Sequence, residues 1–451
     1  MNSDLELPGL EKANVISRDS HTISRKQIAP NALKVLYRLS DAGFHAYIVG
    51  GGVRDILLGN QPKDFDVATN ATPEEVKKLF KNARIIGRRF KIVHIRFGRE
   101  IIEVTTFRAN HMPQNEIADH TPRRQIRGLD SAHSKSGMIL RDNVYGNIDE
   151  DAMRRDFTIN ALYYTTRNFE LLDFCGGLDD LQNRQIRIIG DPIERYKEDP
   201  VRMLRAIRFS AKLGFEIEEK TRQPINEYSY LLDSVSAARL FDETLKLMIG
   251  GFAQRTFALL SEFQLGSYLF APTLEAIEQG DPVAAKLVSL ALRNTDERLA
   301  SGKSVTPAFL FAALLWPLLK LNLAQSKNQG LHPQQAFQQA AQSALMEQLD
   351  YTAIPKRFTV ASREIWELQN RLQRRNKRPI ESAFNHPRFR AAYDFLLLRE
   401  EAGEELGGLG QWWTDFQNGD TKLRSELIAA VSKPRKRRRR RNKRKASGVS
   451  E

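Results

Sequence analysis

Strand-like patterning is confined to roughly the first 190 residues, and from Asp199 to about residue 430 the chain reads as helices with little strand signal. Strands followed by a long run of helices specify an α+β arrangement: a small head with a mixed β-sheet and helices, then an all-α region. A length of 451 residues accommodates roughly three domains. The expected layout is an irregular arm over residues 1–29, a head over 30–165, a neck over 166–250, a helical body over 251–430 and a disordered basic tail over 431–451.

Charge is as unevenly placed as secondary structure. Eleven of the thirteen residues 433–445 are Lys or Arg, so of the formal +14 only +3 belongs to the rest of the chain. A like-charge run of this density repels itself and buries nothing, which predicts disorder and an interaction arm for a polyanion. A solubility tail, an import-like basic run or an anionic lipid surface are the alternatives. The single cysteine, Cys175, has no partner for an internal disulfide and lies in the apolar run Leu171-Leu172-Asp173-Phe174-Cys175. It reads as a buried thiol in a reducing, cytoplasmic compartment. The first thirty residues hold no apolar stretch of secretory length. The most apolar segment, residues 307–319, is too short to span a bilayer and reads as a core helix, so no transmembrane segment is expected.

In the head, a helix from Pro30 carries Leu33, Leu36 and Leu39 on one side and ends at Gly43. Residues 45–49 are an apolar run that stops at Gly50-Gly51-Gly52, and residues 53–58 are helical in pattern, giving strand, glycine loop, helix. Asp64-Phe65-Asp66-Val67-Ala68 alternates with period two, as a strand buried on one face does. Thr72-Pro73-Glu74-Glu75 supplies an N-cap, a first-turn proline and a capping-box glutamate for a helix reaching Phe80. Residues 92–97 and 101–107 meet across Gly98-Arg99-Glu100 as a hairpin. Residues 110–137 are polar and aperiodic, and read as a mobile functional loop or disorder. Residues 151–164 are helical in pattern, 171–174 and 186–189 read as short strands, and Asp199 is expected to cap a helix that ends at Gly214.

Asp64 and Asp66, two apart on a strand, project from one face and crowd two carboxylates into one volume. Such a pair is costly unless cations neutralise it. Hard carboxylate oxygens suit Mg2+, with Mn2+ a substitute, and two ions would serve an in-line phosphoryl displacement. A pair on a solvated strand edge is the alternative. Just upstream lies Gly50-Gly51-Gly52-Val53-Arg54-Asp55, whose glycines let backbone approach a phosphate. Arg54 can pair with a triphosphate oxygen, or with Asp55 or Asp66 as a structural ion pair. The loop matches neither the P-loop nor the dinucleotide-binding fingerprint. Glu103 is either a third metal-site carboxylate or a surface residue facing Arg99 or Lys91. In Arg154-Arg155-Asp156-Phe157-Thr158-Ile159-Asn160, Asp156 and Asn160 fall four apart on the expected helix, with Arg155 beside them. They are spaced to bind ribose and phosphate, or to form an intrahelical pair. Glu198-Asp199-Pro200-Val201-Arg202 leads a helix bearing Arg202, Arg205 and Arg208, a stripe that alone would read as solvated.

Taken in chain order, these segments resemble class II of the polymerase-β-like nucleotidyltransferase superfamily, in the branch of CCA-adding enzymes and bacterial poly(A) polymerases. The resemblance implies that Asp64, Asp66 and Asp156 are catalytic and that Glu103 joins Asp64 and Asp66 at the metal. It also implies that Gly50, Gly51, Arg54, Arg155, Asn160, Asp199, Arg202, Arg205 and Arg208 bind the nucleotide, Asp199 and Arg202 facing the incoming base. Within the branch, residues 85–94, Ala353-Ile354-Pro355-Lys356-Arg357, residues 386–394 and the basic tail are similar to poly(A) polymerases rather than CCA-adding enzymes. The implied activity is template-independent addition of AMP from ATP to RNA 3′ ends, with release of pyrophosphate. RNA 3′ ends and ATP are the expected partners, RNA-decay proteins are further ones, and no DNA specificity is expected. A CCA-adding enzyme is the alternative within the superfamily, and a non-catalytic RNA-binding or annealing protein the alternative of another class. Base choice stays open, since adenine and cytosine both offer an amino donor beside a ring-nitrogen acceptor to an Asp and Arg pair.

Overall fold

Eight short strands form one mixed sheet: β1 (Asn14–Ile16), β2 (Ala46–Val49), β3 (Asp66–Thr69), β4 (Ala83–Ile86), β5 (Ile92–Phe97), β6 (Glu100–Thr106), β7 (Leu162–Tyr164) and β8 (Leu171–Asp173). Their order is β1-β8-β7-β2-β3-β6-β5-β4. All neighbours are antiparallel except β3 and β6. The structure is a computed structural model that describes residues 7–87, 90–109, 116–117, 131–134, 139–280, 282–374 and 377–431. Arg88, Arg89, most of segment 110–137 and the basic run 433–445 lie outside the described residues. The chain divides into two compact units, residues 1–271 with 351–353, and residues 272–350 with 354–451.

Side-chain alternation gives the sheet two unlike faces. On one, Ile48, Val67, Val93, Val104 and Tyr164 pack under helix α1 (Pro30–Asp41), through Val35, Leu36 and Leu39, and under α3 (Pro73–Leu79), through Val76. On the other, Tyr47, Val49, Ala68 and Tyr163 pack with Leu7 and with Ile148 and Ala152 of α4 (Ile148–Arg154). That second core covers part of the sheet, and the register row Tyr163–Val49–Asp66–Glu103–His94 runs from it into acidic residues. Polar groups thus emerge where the apolar cover stops.

Local chemistry placed many elements as expected. Thr72 and Glu75 form the capping box of α3, and α2 (Gly51–Leu57) follows β2 directly. Other expectations are corrected. The N-terminal arm is not irregular throughout, because Val15 pairs with Leu172 in the edge strand β1. The stretch 151–164 is not one helix: α4 ends at Arg154, Thr158–Asn160 is a single 3-10 turn, and Leu162–Tyr164 is drawn into the sheet between β2 and β8. Segment 110–137 carries strands Glu116–Ile117 and Ser131–Ser134, which with Ile139–Asp142 make a small separate sheet. Asp199 does not cap a following helix; it ends α5 (Pro192–Glu198), and α6 (Val201–Leu213) starts after Pro200 and stops at Gly214. Helix α7 (Ala237–Met248) follows in the same unit. Cys175 is half-buried, with burial and the nearby Asp173 pushing its thiol up to about 12.

The second unit is helical: α8 (Pro282–Ala300), α9 (Pro307–Leu314), α10 (Trp316–Asn328), α11 (Pro333–Leu349), α12 (Lys356–Leu372), α13 (Phe389–Ala402), α14 (Leu409–Asn418) and α15 (Thr421–Val431). The apolar segment 307–319 is two helices bent by 49° rather than one, with Pro317 in the first turn of α10, where its missing N–H costs nothing. Among the described residues no single helix is long and apolar enough to cross a membrane. Two buried indoles find carbonyl acceptors: Trp366 Nε1 donates to Ala312 O at 2.9 Å and Trp413 Nε1 to Leu372 O at 3.1 Å.

Candidate active site

Asp66 opens β3 beside Glu103 of β6, and Glu103 faces His94 of β5. Asp64 sits exposed two residues before the strand rather than within it. Burial, then the charges of Glu103 and Asp64, push the Asp66 carboxyl up to about 6 against the opposing pull of Arg155. A carboxylate that is disfavoured in this way suits a cation. Among the described residues no three His, Cys, Asp or Glu side chains form a ready metal cage. Magnesium does not require one, being held typically by one or two carboxylates with waters and substrate phosphates. Asp64 and Asp66 offer the hard oxygens for such an open site. Glu103 already accepts a partner, its Oε1 lying 3.1 Å from His94 Nε2. Sequence reasoning passed over His94; its place directly across the hairpin from Glu103 was the available signal.

The glycine loop meets this row at Gly50, where φ is +70° and ψ −135°. A Cβ there would stand 3.7 Å from Arg155 Nη1 and 3.9 Å from Asp66 Oδ2, and one on Gly52 would stand 3.2 Å from Phe65 Cδ1. Loop and acidic segment are therefore closely apposed. Gly50→Ala is expected to lower the free energy of unfolding by about 1–3 kcal/mol, because this backbone conformation is largely reserved to glycine. A denaturant unfolding curve checks it, and an unchanged midpoint would refute it.

Arg54 makes the protein contacts that one of its two expected roles requires, with Asp55 and also with Asn160. It is buried, its Nε and Nη2 bonding Asp55 Oδ1 at 2.8 and 2.6 Å and its Nη1 bonding Asn160 Oδ1 at 2.7 Å. Lys212 Nζ also donates to Asp55, at 3.2 Å, which ties α2 to α6. Asn160 passes the chain on, donating from Nδ2 to Asp156 Oδ1 at 3.1 Å. Asp156 accepts the Phe157 N–H at 2.8 Å and Arg205 Nε at 2.7 Å. Burial alone would raise this carboxyl, but the Arg205 charge and the hydrogen bonds hold it well below the ordinary carboxylate range. Arg155 donates from Nε to Tyr163 Oη at 2.8 Å and from Nη2 to Asp151 Oδ2 at 3.1 Å.

Residues of the arginine helix have separate partners. Arg202 bonds Arg195 O at 2.7 Å and Glu198 Oε2 at 2.8 Å, while Asp199 Oδ2 accepts Arg239 of α7 at 2.7 Å. Arg195, which sequence reasoning also missed, holds the Arg154 and Arg155 carbonyls at 2.7 and 2.6 Å. Arg208 lies over the Phe209 ring at 4.4 Å, and its Nε is buried without a partner. Burial, with Arg205 close by, brings its guanidinium down to about 10. Among the described residues no carboxylate pairs with it directly, although the charges of Glu243 and Asp156 act on it. The structure thus gathers Gly50, Asp66 and Arg155 in one place, Arg54, Asn160, Asp156 and Arg205 in one linked chain, and Asp199 and Arg202 in a further network.

Residues 46–187 match the family model of the poly A polymerase head domain, 214–278 that of a probable RNA and SrmB-binding site of polymerase A, and 329–446 that of the polymerase A arginine-rich C-terminus. Poly(A) polymerase I of Escherichia coli O6:H1 is 47% identical over 441 residues, covering 96% of this chain and 92% of that one. The chain belongs to the poly(A) polymerase I family. It is therefore a nucleotidyltransferase. The Haemophilus influenzae family member is 44% identical over 447 residues, covering 97% and 96% of the two chains. A CCA-adding enzyme of Lactobacillus helveticus is 40% identical over 235 residues, 52% of this chain and 53% of its own. The fold is shared with the Bacillus stearothermophilus CCA-adding enzyme in complex with CTP, at TM-score 0.53 and 26% identity over 89% of this chain and 83% of that one.

Proposed function

We propose that this protein is a cytoplasmic enzyme that adds AMP from ATP to RNA 3′-hydroxyl ends without a template and releases pyrophosphate. The observation that carries the reading is extent: identity to poly(A) polymerase I runs over 96% of the chain, whereas identity to the CCA-adding relative covers 52%. The 3′ oxygen bonds to the α-phosphorus as the bond to the bridging oxygen breaks, so the protein's tasks are to position the reactants and manage charge. Asp64 and Asp66, with Glu103 adding negative charge, would hold magnesium, which when bound eases ionisation of the attacking hydroxyl and clamps the leaving pyrophosphate.

The remaining work falls to the chain itself. Gly50 and Gly51 let the triphosphate approach the backbone beside Asp66. Arg155, with two nitrogens tied to Tyr163 and Asp151, presents Nη1 on the Gly50 side for a phosphate oxygen. Arg208 supplies a further cation. Asp156 has both carboxylate oxygens engaged, so we assign it a positioning role, fixing Asn160 and Arg205. Asp199 and Arg202, held by Arg239 and Glu198, would face the incoming base. Adenosine tails on varied RNAs would give decay proteins a single-stranded foothold, which places the enzyme in RNA decay and quality control. The test is a gel of extension products on an unstructured RNA and on a tRNA lacking its last three nucleotides, with ATP and CTP separately. Long ladders with ATP on the unstructured RNA are expected. Strong CTP use on the tRNA, halting after two additions, would make it a CCA-adding enzyme, and no incorporation at all would leave a non-catalytic RNA-binding protein.

A further inference from the structure

Two segments that the active site does not use, Lys356-Arg357 and residues 386–394, come together in the helical second unit around a pocket of about 660 Å³. That volume falls in the range of roughly 300–1,000 Å³ typical of small-ligand sites. Its floor is apolar, with Ala308 and Phe309 from α9, Ala361 and Ile365 from α12 and Leu398 from α13. Its rim is cationic: Arg298, Arg357, Arg388 and Arg390. The acids at the rim are already neutralised, Asp394 by Arg390 at 3.0 Å and Glu401 by Arg293 at 2.6 Å. Arg388 pairs with Glu364 at 3.2 Å. Among the described residues Arg298 and Arg357 have no carboxylate partner, Arg298 bonding to Ser304 O at 2.8 Å and Arg357 lying over the Phe358 ring at 4.7 Å.

We propose that this pocket holds one nucleotide of a bound RNA strand, upstream of the reacting 3′ end. The base lies on the apolar floor and the phosphate among the arginines. The inference deepens the polyadenylation reading and rests on RNA being the substrate. An apolar peptide would match the floor but leave Arg298 and Arg357 without an anion, whereas a nucleotide has one surface for each part of the pocket. Guanidinium groups grip phosphate in a planar, two-point manner, and the Arg357–Phe358 pair makes a stacking platform that tolerates any base. Asn294, half-buried on the wall, can meet a base edge with both donor and acceptor. Such a site adds grip on the strand without sequence choice, which suits an enzyme whose product grows one identical unit at a time.

The experiment measures binding of a labelled oligoadenylate to the full-length protein without ATP, across a salt series. The variants are Arg357→Glu, Arg357→Lys and Ala391→Trp, the last filling the pocket from its wall. Arg357→Glu and Ala391→Trp should each weaken binding about tenfold. Arg357→Glu should also reduce the slope of log affinity against log salt by about 0.7, one phosphate contact on a single strand. Arg357→Lys, which keeps the charge but loses the planar grip and the stacking face, should bind between the unaltered protein and Arg357→Glu and keep the salt slope. AMP addition to a trinucleotide primer, which offers little strand upstream of its 3′ end, should be unchanged in all three. Unaltered oligoadenylate affinity in both Arg357→Glu and Ala391→Trp overturns the proposal and leaves the pocket to a protein segment or a free nucleotide. Equal losses on the trinucleotide primer also overturn it, since the effect would then come from the fold or the chemistry. Incorporation by the unaltered protein tests the polyadenylation reading separately, so the two can fail independently.

Discussion

Asp66→Asn is expected to cut AMP incorporation by about a thousandfold while leaving RNA affinity and folding intact. Asparagine keeps the size of the side chain and removes the negative charge for which a cation would be recruited. In the unliganded protein that charge is a burden: burial, Glu103 and Asp64 all disfavour it. Removing it should hold the melting temperature or raise it, so lost activity cannot be ascribed to unfolding. Asp64→Asn should behave alike in turnover but leave stability unmoved, since Asp64 is exposed. Single-turnover incorporation, thermal melts and oligoadenylate binding on the same preparations check this. Turnover within a few-fold of the unaltered enzyme for Asp66→Asn would remove Asp66 from the site. Parallel loss of RNA binding would do so too.

Arg205→Ala should destabilise the first unit by about 2–4 kcal/mol, near the lower end of what stranding a buried ion-pair partner costs because Arg205 is partly exposed. The side chain of Asp156 is 12% exposed and that of Arg205 31%. With Arg205 present, the Asp156 carboxyl lies below its ordinary value, so its contribution is full above the unfolded carboxylate pKa of about 4 and is lost as pH falls through the folded value. With Arg205 gone, burial is no longer opposed by that charge and the carboxyl moves upward. The variant's deficit should therefore be largest near neutrality and shrink on acidification. Urea unfolding curves between neutral and mildly acidic pH test the sign, and a deficit that grows with acid would refute the account. Asp156→Asn combined with Arg205→Ala should be less destabilised than the two separate losses summed, because the pair is a single interaction.

Sequence alone determined what is local. Thr72 with Glu75, Pro30 at a first turn and Gly214 after α6 mark helix ends through bonds spanning a few residues, and these landed where structure puts them. The strand, glycine loop, helix and second strand around Asp66 were legible for the same reason, as was the split between a sheet-bearing unit and a helical one. Tertiary structure decided what depends on distant partners. Strands β1 and β7 are three residues each, too short to show a period, and Tyr163 is a strand residue because Val49 and Leu172 flank it. The same holds for the site. That Arg54 bonds Asn160, 106 positions away, and that Asp156 bonds Arg205, 49 positions on, could not be read from either local segment. A side chain's chemistry is set by its type, but its role is set by which partner reaches it first, and that partner is brought by the fold.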